Sequence, residues 1–267
     1  IEGAGKDHSS AGGSRDIAKE LCAQVFHYPN PFIIPYEFIL IGGKKMASSK
    51  GLGLKGRDLV DMLPLEVARF LFIKTDYKKQ VEFDPVGTQA IPVLFDDYQK
   101  AAEAYFNKEG DDLARAFELS QTGEIKKPPT IRFSVLAQWV QMPNMEEEIK
   151  KNNLGDWVVY AKNWVEKYAP ESERFTVQKE IPSEVSKLSN EQRKALKQIA
   201  EGLVKKWTPE ELQTRVYDIG KDLGLNGKQT FAAIYLSLLG KDHGPKAALL
   251  ILSLDKEFVK KRFSSEP

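Results

Sequence analysis

Residues 36–57 place the tightest constraint on what this chain can fold into. Residues 36–41 (Tyr-Glu-Phe-Ile-Leu-Ile) form a mainly apolar run that is too short for a buried helix and the right length for a buried strand. The run stops at Gly42-Gly43, and from there to Arg57 the charged side chains are Lys44, Lys45, Lys50, Lys55 and Arg57, with no acidic residue among them. Gly42, Gly43, Gly51, Gly53 and Gly56 let the backbone turn and approach a ligand closely, and Ser48 and Ser49 add hydroxyl donors. A cationic, donor-rich loop at the carboxyl end of a strand suits a polyphosphate. The plainer reading is a solvated hairpin loop carrying a few lysines, and composition alone does not separate the two.

The residues before it supply a second glycine-rich turn. Residues 3–13 read Gly-Ala-Gly-Lys-Asp-His-Ser-Ser-Ala-Gly-Gly. Ser14 is the expected N-cap of a helix whose apolar positions are Ile17, Leu21, Cys22, Val25 and Phe26, ended by Pro29 and Pro31. Turn, helix and strand make most of a βαβ unit, so both glycine-rich loops are expected at the same edge of a parallel sheet, where open α/β sheets bind ligands. From the residues alone, Asp7 and His8 cap the helix or pack under the loop, since an isolated Gly-x-Gly is weak and no dinucleotide pattern is present.

These two stretches carry a family resemblance. Lys45-Met46-Ala47-Ser48-Ser49 resembles the Lys-Met-Ser-Lys-Ser signature of class I aminoacyl-tRNA synthetases. With Lys50 and Gly51 it is closer to the version in class I lysyl-tRNA synthetases of archaeal and bacterial type, where serine replaces the second lysine. Ala47 departs from that pattern. Gly5-Lys6-Asp7-His8, followed by small residues and paired glycines, is similar to a stretch of the same enzymes, as is Ala233 to Lys241 followed by Gly244-Pro245. The resemblance therefore reaches from one end of the chain to the other.

It implies a fold of α/β plus all-α type. Residues 1–43 are expected to be the C-terminal part of a Rossmann-type catalytic domain, residues 44–84 the signature loop and stem-contact segment, and residues 85–267 an α-helical anticodon-binding domain (helix cage). It implies activation of lysine by ATP to lysyl-adenylate and transfer to lysine tRNA. Lys45, Ser48, Ser49 and Lys50 would stabilise the departing pyrophosphate, Asp7, His8 and Met46 would bind ATP, and Arg69, Arg132 and Trp139 would touch tRNA. ATP with Mg2+ is the implied cofactor set, and the implied partners are lysine, ATP and both the acceptor stem and the anticodon of lysine tRNA, taken up by a monomer. The His-x-Gly-His-like signature of the class and the zinc-binding cysteines of some members do not occur in these residues. The start at Ile1 then reads as the carboxyl-terminal portion of a larger enzyme, inactive by itself. Two other readings share these features: a tRNA anticodon-binding module without chemistry, and a glutamyl-type synthetase.

Beyond residue 85 the pattern is helical almost throughout. Apolar faces at helical spacing mark residues 88–106, 112–119, 131–141, 156–168, 228–239, 245–254 and 255–263, and residues 81–85 suit a short extended segment. Ser189 to Gln192 and Thr208 to Glu211 read as capping boxes, the second with proline at the first helical position. By residue type, Trp139, Trp157, Trp164, Trp207 and Arg132 could face unpaired bases, although core packing is the commoner fate of a tryptophan.

Composition narrows the class. The chain has 267 residues, 42% hydrophobic and 29% charged, with Lys+Arg 39 against Asp+Glu 38, so a nucleic-acid partner would be gripped by local patches rather than by overall charge. Its one cysteine, Cys22, rules out a disulfide within the chain or a four-cysteine zinc site, and a buried thiol is expected. No apolar run approaches the roughly 18–20 residues that span a bilayer, so no membrane is expected, no metal site is expected, and a cytoplasmic location is the simplest.

Overall fold

The computed structural model describes residues 1–45 and 55–264 and divides into two units, Ile1–Thr130 and Ile131–Pro267. It is mostly helical with a few short strands.

In the first unit, β1 (Glu2–Gly5) leads into a single helical turn, α1 (Lys6–Ser9), and then α2 (Ser14–Glu20), which widens into a π-helical turn at Leu21–Val25. The chain returns as β2 (Ile33–Tyr36), parallel to β1 in the register Gly3↔Ile34 and Ala4↔Pro35. The expected βαβ unit is there, but its second strand is Ile33–Tyr36 and ends where the expected strand at 36–41 begins. The chain leaves this sheet at Glu37, whose N–H donates to Tyr77 O at 2.9 Å. Residues Ile39–Ile41 form β3 in a different sheet, antiparallel to β4 (Lys44–Lys45) and parallel to β5 (Val81–Glu82). Gly42 and Gly43, with φ of 55° and 71°, make the two-residue hairpin turn between β3 and β4, a backbone that β-branched or bulky residues resist.

Gly13 is needed for another reason. A Cβ there would lie 2.7–2.9 Å from the carbonyl oxygens of Asp7, Ser10 and His8, so only glycine lets α2 start this close to α1. Gly13, rather than the expected Ser14, is the N-cap. The apolar stripe of α2 and its π-turn is present but uncovered, with Ile17, Leu21, Val25 and Phe26 exposed, because a two-stranded sheet is too narrow to hide it. Cys22 is accordingly half-buried rather than buried.

Four helices complete this unit: α3 (Gly56–Met62), α4 (Leu65–Ile73), α5 (Ala90–Phe106) and α6 (Asp112–Ser120). α5 and α6, grouped by sequence with residues 85–267, pack on α4 here. Tyr98 of α5 meets Phe70 edge-on at 5.5 Å and Phe117 at 5.1 Å, and Phe70, Phe95 and Phe117 are fully buried.

Among the described residues the regular elements of the second unit are all helical, with α7 (Phe133–Trp139), α8 (Glu146–Lys151), α9 (Gly155–Asn163), α10 (Asn190–Gly202), α11 (Pro209–Asp222), α12 (Gly227–Leu239), α13 (Ala247–Ser253) and α14 (Lys256–Ser264) joined by turns and short helical turns. Both expected capping boxes form, Ser189 with Gln192 and Thr208 with Glu211, and a third, Asn226 with Gln229, opens α12. Gly220 of α11 lies against Thr230 of α12 so tightly that no Cβ fits between them. Trp164 and Phe133 pack in the core at 6.2 Å.

Candidate functional site

The first unit brings the two glycine-rich turns together. α1 starts directly after β1, so Lys6, Asp7 and His8 sit at the carboxyl edge of the β1–β2 pair, beside Tyr36 and Glu37 at the end of β2. The β3–β4 hairpin returns to this edge. Lys45 Nζ forms an ion pair with Asp7 Oδ2 and lies 3.9 Å from the centre of the Phe38 ring. Both partners are about half exposed (47% and 56%), so this ammonium stays within reach of a ligand. Lys6 Nζ pairs with Glu37 Oε1 at 2.5 Å, and Glu37 Oε2 is buried with no partner among the described residues. His8 Nδ1 lies 3.0 Å from Ser14 Oγ, the local contact that the residues alone suggest, and its ring remains exposed. Met46, Ser48, Ser49 and Lys50 lie outside the described residues.

What this edge offers is two lysine ammonium groups, each held by one carboxylate, with the exposed ring of His8 on the same helical turn as Lys6 and Asp7. An anion carrying several negative oxygens could take Lys45 from Asp7 by offering stronger charge-assisted contacts. Among the described residues no three His, Cys, Asp or Glu side chains gather where they could hold a metal ion.

The tRNA-facing candidates are more dispersed. Arg69 of α4 uses its guanidinium on the end of α6, with Nε donating to Ser120 O at 3.0 Å and Nη2 to Leu119 O at 2.9 Å. Those carbonyls have no helical partner, and a cation there also suits the helix dipole. Arg132 stands at the N-cap of α7 with an exposed side chain. Trp139, at the end of α7, is 8% exposed and forms part of an open cleft of about 540 Å³ with Met142, Met145, Ile149, Lys150 and Lys162. Trp157 and Trp164 are core residues, and Trp207 is anchored by its Nε1 donating to Gly202 O at 2.9 Å. His243 is an exposed loop residue, with Nδ1 2.6 Å from Asp242 Oδ1.

Comparison with known proteins separates the same two regions. A family model for class I tRNA synthetases (K) matches residues 1–123, and one for an anticodon-binding domain matches residues 165–265. Lysine–tRNA ligases align along nearly the whole chain: that of Archaeoglobus fulgidus at 32% identity over 98% of this chain and 53% of its own length, and that of Thermococcus kodakarensis at 33% over 100% and 56%. The ligase of Picrophilus torridus is 31% identical over 99% of this chain and 55% of itself. The chain is similar to lysine–tRNA ligases along nearly its whole length. It spans about half the length of the relatives it matches. Within the class I match lie Lys45, Asp7 and Arg69, and within neither match lie α7, α8 and α9, which form the Trp139 cleft.

Two features of the family site escaped the sequence. The Lys6–Glu37 pair joins residues far apart in the chain, and nothing in local spacing announces it. The Phe38 ring under Lys45 was legible only as part of a strand, since its contact depends on the hairpin turning back at Gly42-Gly43.

Proposed function

We propose that these residues serve the ATP-dependent activation of lysine and its transfer to lysine tRNA. The observation that carries this reading is the joint match to a class I synthetase region and an anticodon-binding region in one chain whose relatives are named lysine–tRNA ligases. In this reading residues 1–43 belong to a Rossmann-type catalytic domain, 44–84 to the signature loop and stem-contact segment, and 85–267 to a helix cage around the anticodon.

Catalysis of this kind is positioning and charge stabilisation, with little covalent work for the protein. The lysine carboxylate attacks the α-phosphorus of ATP and pyrophosphate leaves. Lys45 would release Asp7 and meet the pyrophosphate, with Ser48, Ser49 and Lys50 supplying further donors. Asp7 and His8 would then face the nucleotide, with Met46 beside it. The cationic edge fits the phosphates of ATP. It does not form a metal cage, so Mg2+ would arrive with the phosphates and keep much of its water. In the helical region the Trp139 cleft has an apolar floor suited to an unpaired base and a rim of mixed charge, Lys150 and Lys162 with Glu146 and Asp156. Trp139 shows only an edge, so it would form the floor of that cleft rather than an open stacking platform. Arg132 and Arg69 would contact the tRNA backbone, Arg69 through whatever donors its two carbonyl contacts leave.

The test is binding. Fluorescence anisotropy with labelled lysine tRNA is expected to give saturable binding to the 267-residue chain, weakened at least tenfold when the anticodon bases are changed. Equal affinity for tRNAs of any anticodon would sink the reading.

A further inference from the structure

The helical second unit holds a cavity that the proposal above does not use. It lies where α10, α12 and α14 meet and measures about 180 Å³. Among the described residues its polar lining consists of Arg193, Lys194, Lys197, Ser237, Arg262 and Ser264, with no acidic side chain. Lys194 and Lys197 are exposed at the mouth, whereas Ser237 and Arg262 are 1% and 6% exposed.

Two observations make this more than a group of surface cations. Ser237 Oγ is buried and has no hydrogen-bond partner among the described residues, an arrangement that native interiors rarely tolerate. Arg262 is held by carbonyls instead of a carboxylate: Nη1 donates to Ser237 O at 2.7 Å, and Nη2 to Gln178 O and Lys179 O, both at 2.8 Å. Arg193 does likewise, with Nη2 donating to Val185 O at 2.9 Å. Among the described residues none of the four cations forms an ion pair. Glu191 acts on Lys194 and Glu180 on Arg262 from outside the cavity. Four like charges around a space with an idle hydroxyl repel one another and leave donors unmet, and a single multivalent acceptor relieves both.

We propose that this cavity is a binding site for a phosphate-type oxyanion, with Ser237 Oγ as its inner donor and Arg193, Arg262, Lys194 and Lys197 supplying the charge. The space equals about six waters at roughly 30 Å³ each, enough for a tetrahedral anion and part of what it is attached to. The ligand is either free phosphate or a backbone phosphate of RNA, and both present the same oxygens.

Thermal unfolding of the 267-residue chain in sodium phosphate, against sodium chloride of equal ionic strength, tests the site. Phosphate is expected to raise Tm saturably, as a ligand of the folded state does. Ser237→Ala, which changes no charge, should weaken the apparent phosphate affinity about tenfold, the scale of one hydrogen bond to a charged group. The double variant Lys194→Glu/Lys197→Glu, altered only at exposed positions, should abolish the phosphate-specific shift. A shift no larger than that of chloride, a shift that survives the double variant, or a Ser237→Ala protein binding phosphate as tightly as the parent overturns the proposal. Lysine tRNA separates the two sources. If the ligand is an RNA phosphate, Ser237→Ala weakens tRNA binding and phosphate competes with it; if it is a free anion, tRNA affinity is unchanged. Only this last arm rests on the tRNA reading, so failure of that reading leaves the phosphate measurement standing.

Discussion

Lys45 lies on the second strand of the β3–β4 hairpin, its ammonium held by one carboxylate and one ring face. In a preparation competent to form the adenylate, Lys45→Ala is expected to slow lysine-dependent ATP–pyrophosphate exchange about 100-fold, the loss typical of removing one preorganised charge donor. An unchanged exchange rate would remove Lys45 from the chemistry. Tyr235 makes a prediction about stability. Its hydroxyl donates to Pro245 O at 2.6 Å, and burial pushes its pKa up to about 12 from an ordinary 10.0. A raised folded-state pKa favours the neutral phenol in the fold. The contribution is therefore complete below pH 10 and is lost as pH climbs towards 12, by about 2 kcal/mol at most. Tyr98 shifts the same way through burial and adds to the loss. Urea unfolding between pH 9 and 11 should show stability falling, with Tyr235→Phe falling less steeply. Neither pairing was legible in sequence, because Asp7 to Lys45 and Tyr235 to Pro245 are matched by the folded backbone and not by spacing.

At the scale of elements, local chemistry predicted helices better than strands. The capping boxes at Ser189 and Thr208 were read correctly, and Asn226 with Gln229 follows the same rule at the start of α12. Ser189→Ala or Thr208→Ala is expected to cost about 1 kcal/mol each by urea denaturation. Gly220→Ala should cost about 1–3 kcal/mol, because the added methyl collides with Thr230 of α12; Gly220→Ala combined with Thr230→Ala should recover part of the loss. α8 escaped the sequence reading because its stretch Glu-Glu-Glu-Ile-Lys-Lys has a single apolar position and no periodicity. Its acidic first turn and basic last turn were a usable dipole signal all the same. The strand error is of a different kind. Residues 33–41 contain enough apolar residues for two strands, and hydrophobicity does not say that Glu37 turns away to bond Tyr77 O and splits them between two sheets.

At the scale of the whole molecule, the two units have separate cores, one around Phe70, Phe95 and Phe117 and one around Phe133, Leu136 and Trp164. Residues 131–267 produced alone are expected to unfold cooperatively with a helical circular dichroism spectrum, and a gradual, non-cooperative melt would count against an independent core. Among the described residues no helix is long and apolar enough to cross a membrane, in line with the absence of long apolar runs. What the sequence determined by itself was a family resemblance, the helix content and the turns at Gly13 and Gly42-Gly43, because those depend on residue types at short spacing: glycines where the backbone must turn and capping side chains where helices begin. Only the tertiary structure decided that Lys45 meets Asp7, that Arg69 closes the end of α6, and that Ser237 and Arg262 share a cavity with Arg193. Those contacts join residues distant in the chain, and their partners are chosen by how the elements pack.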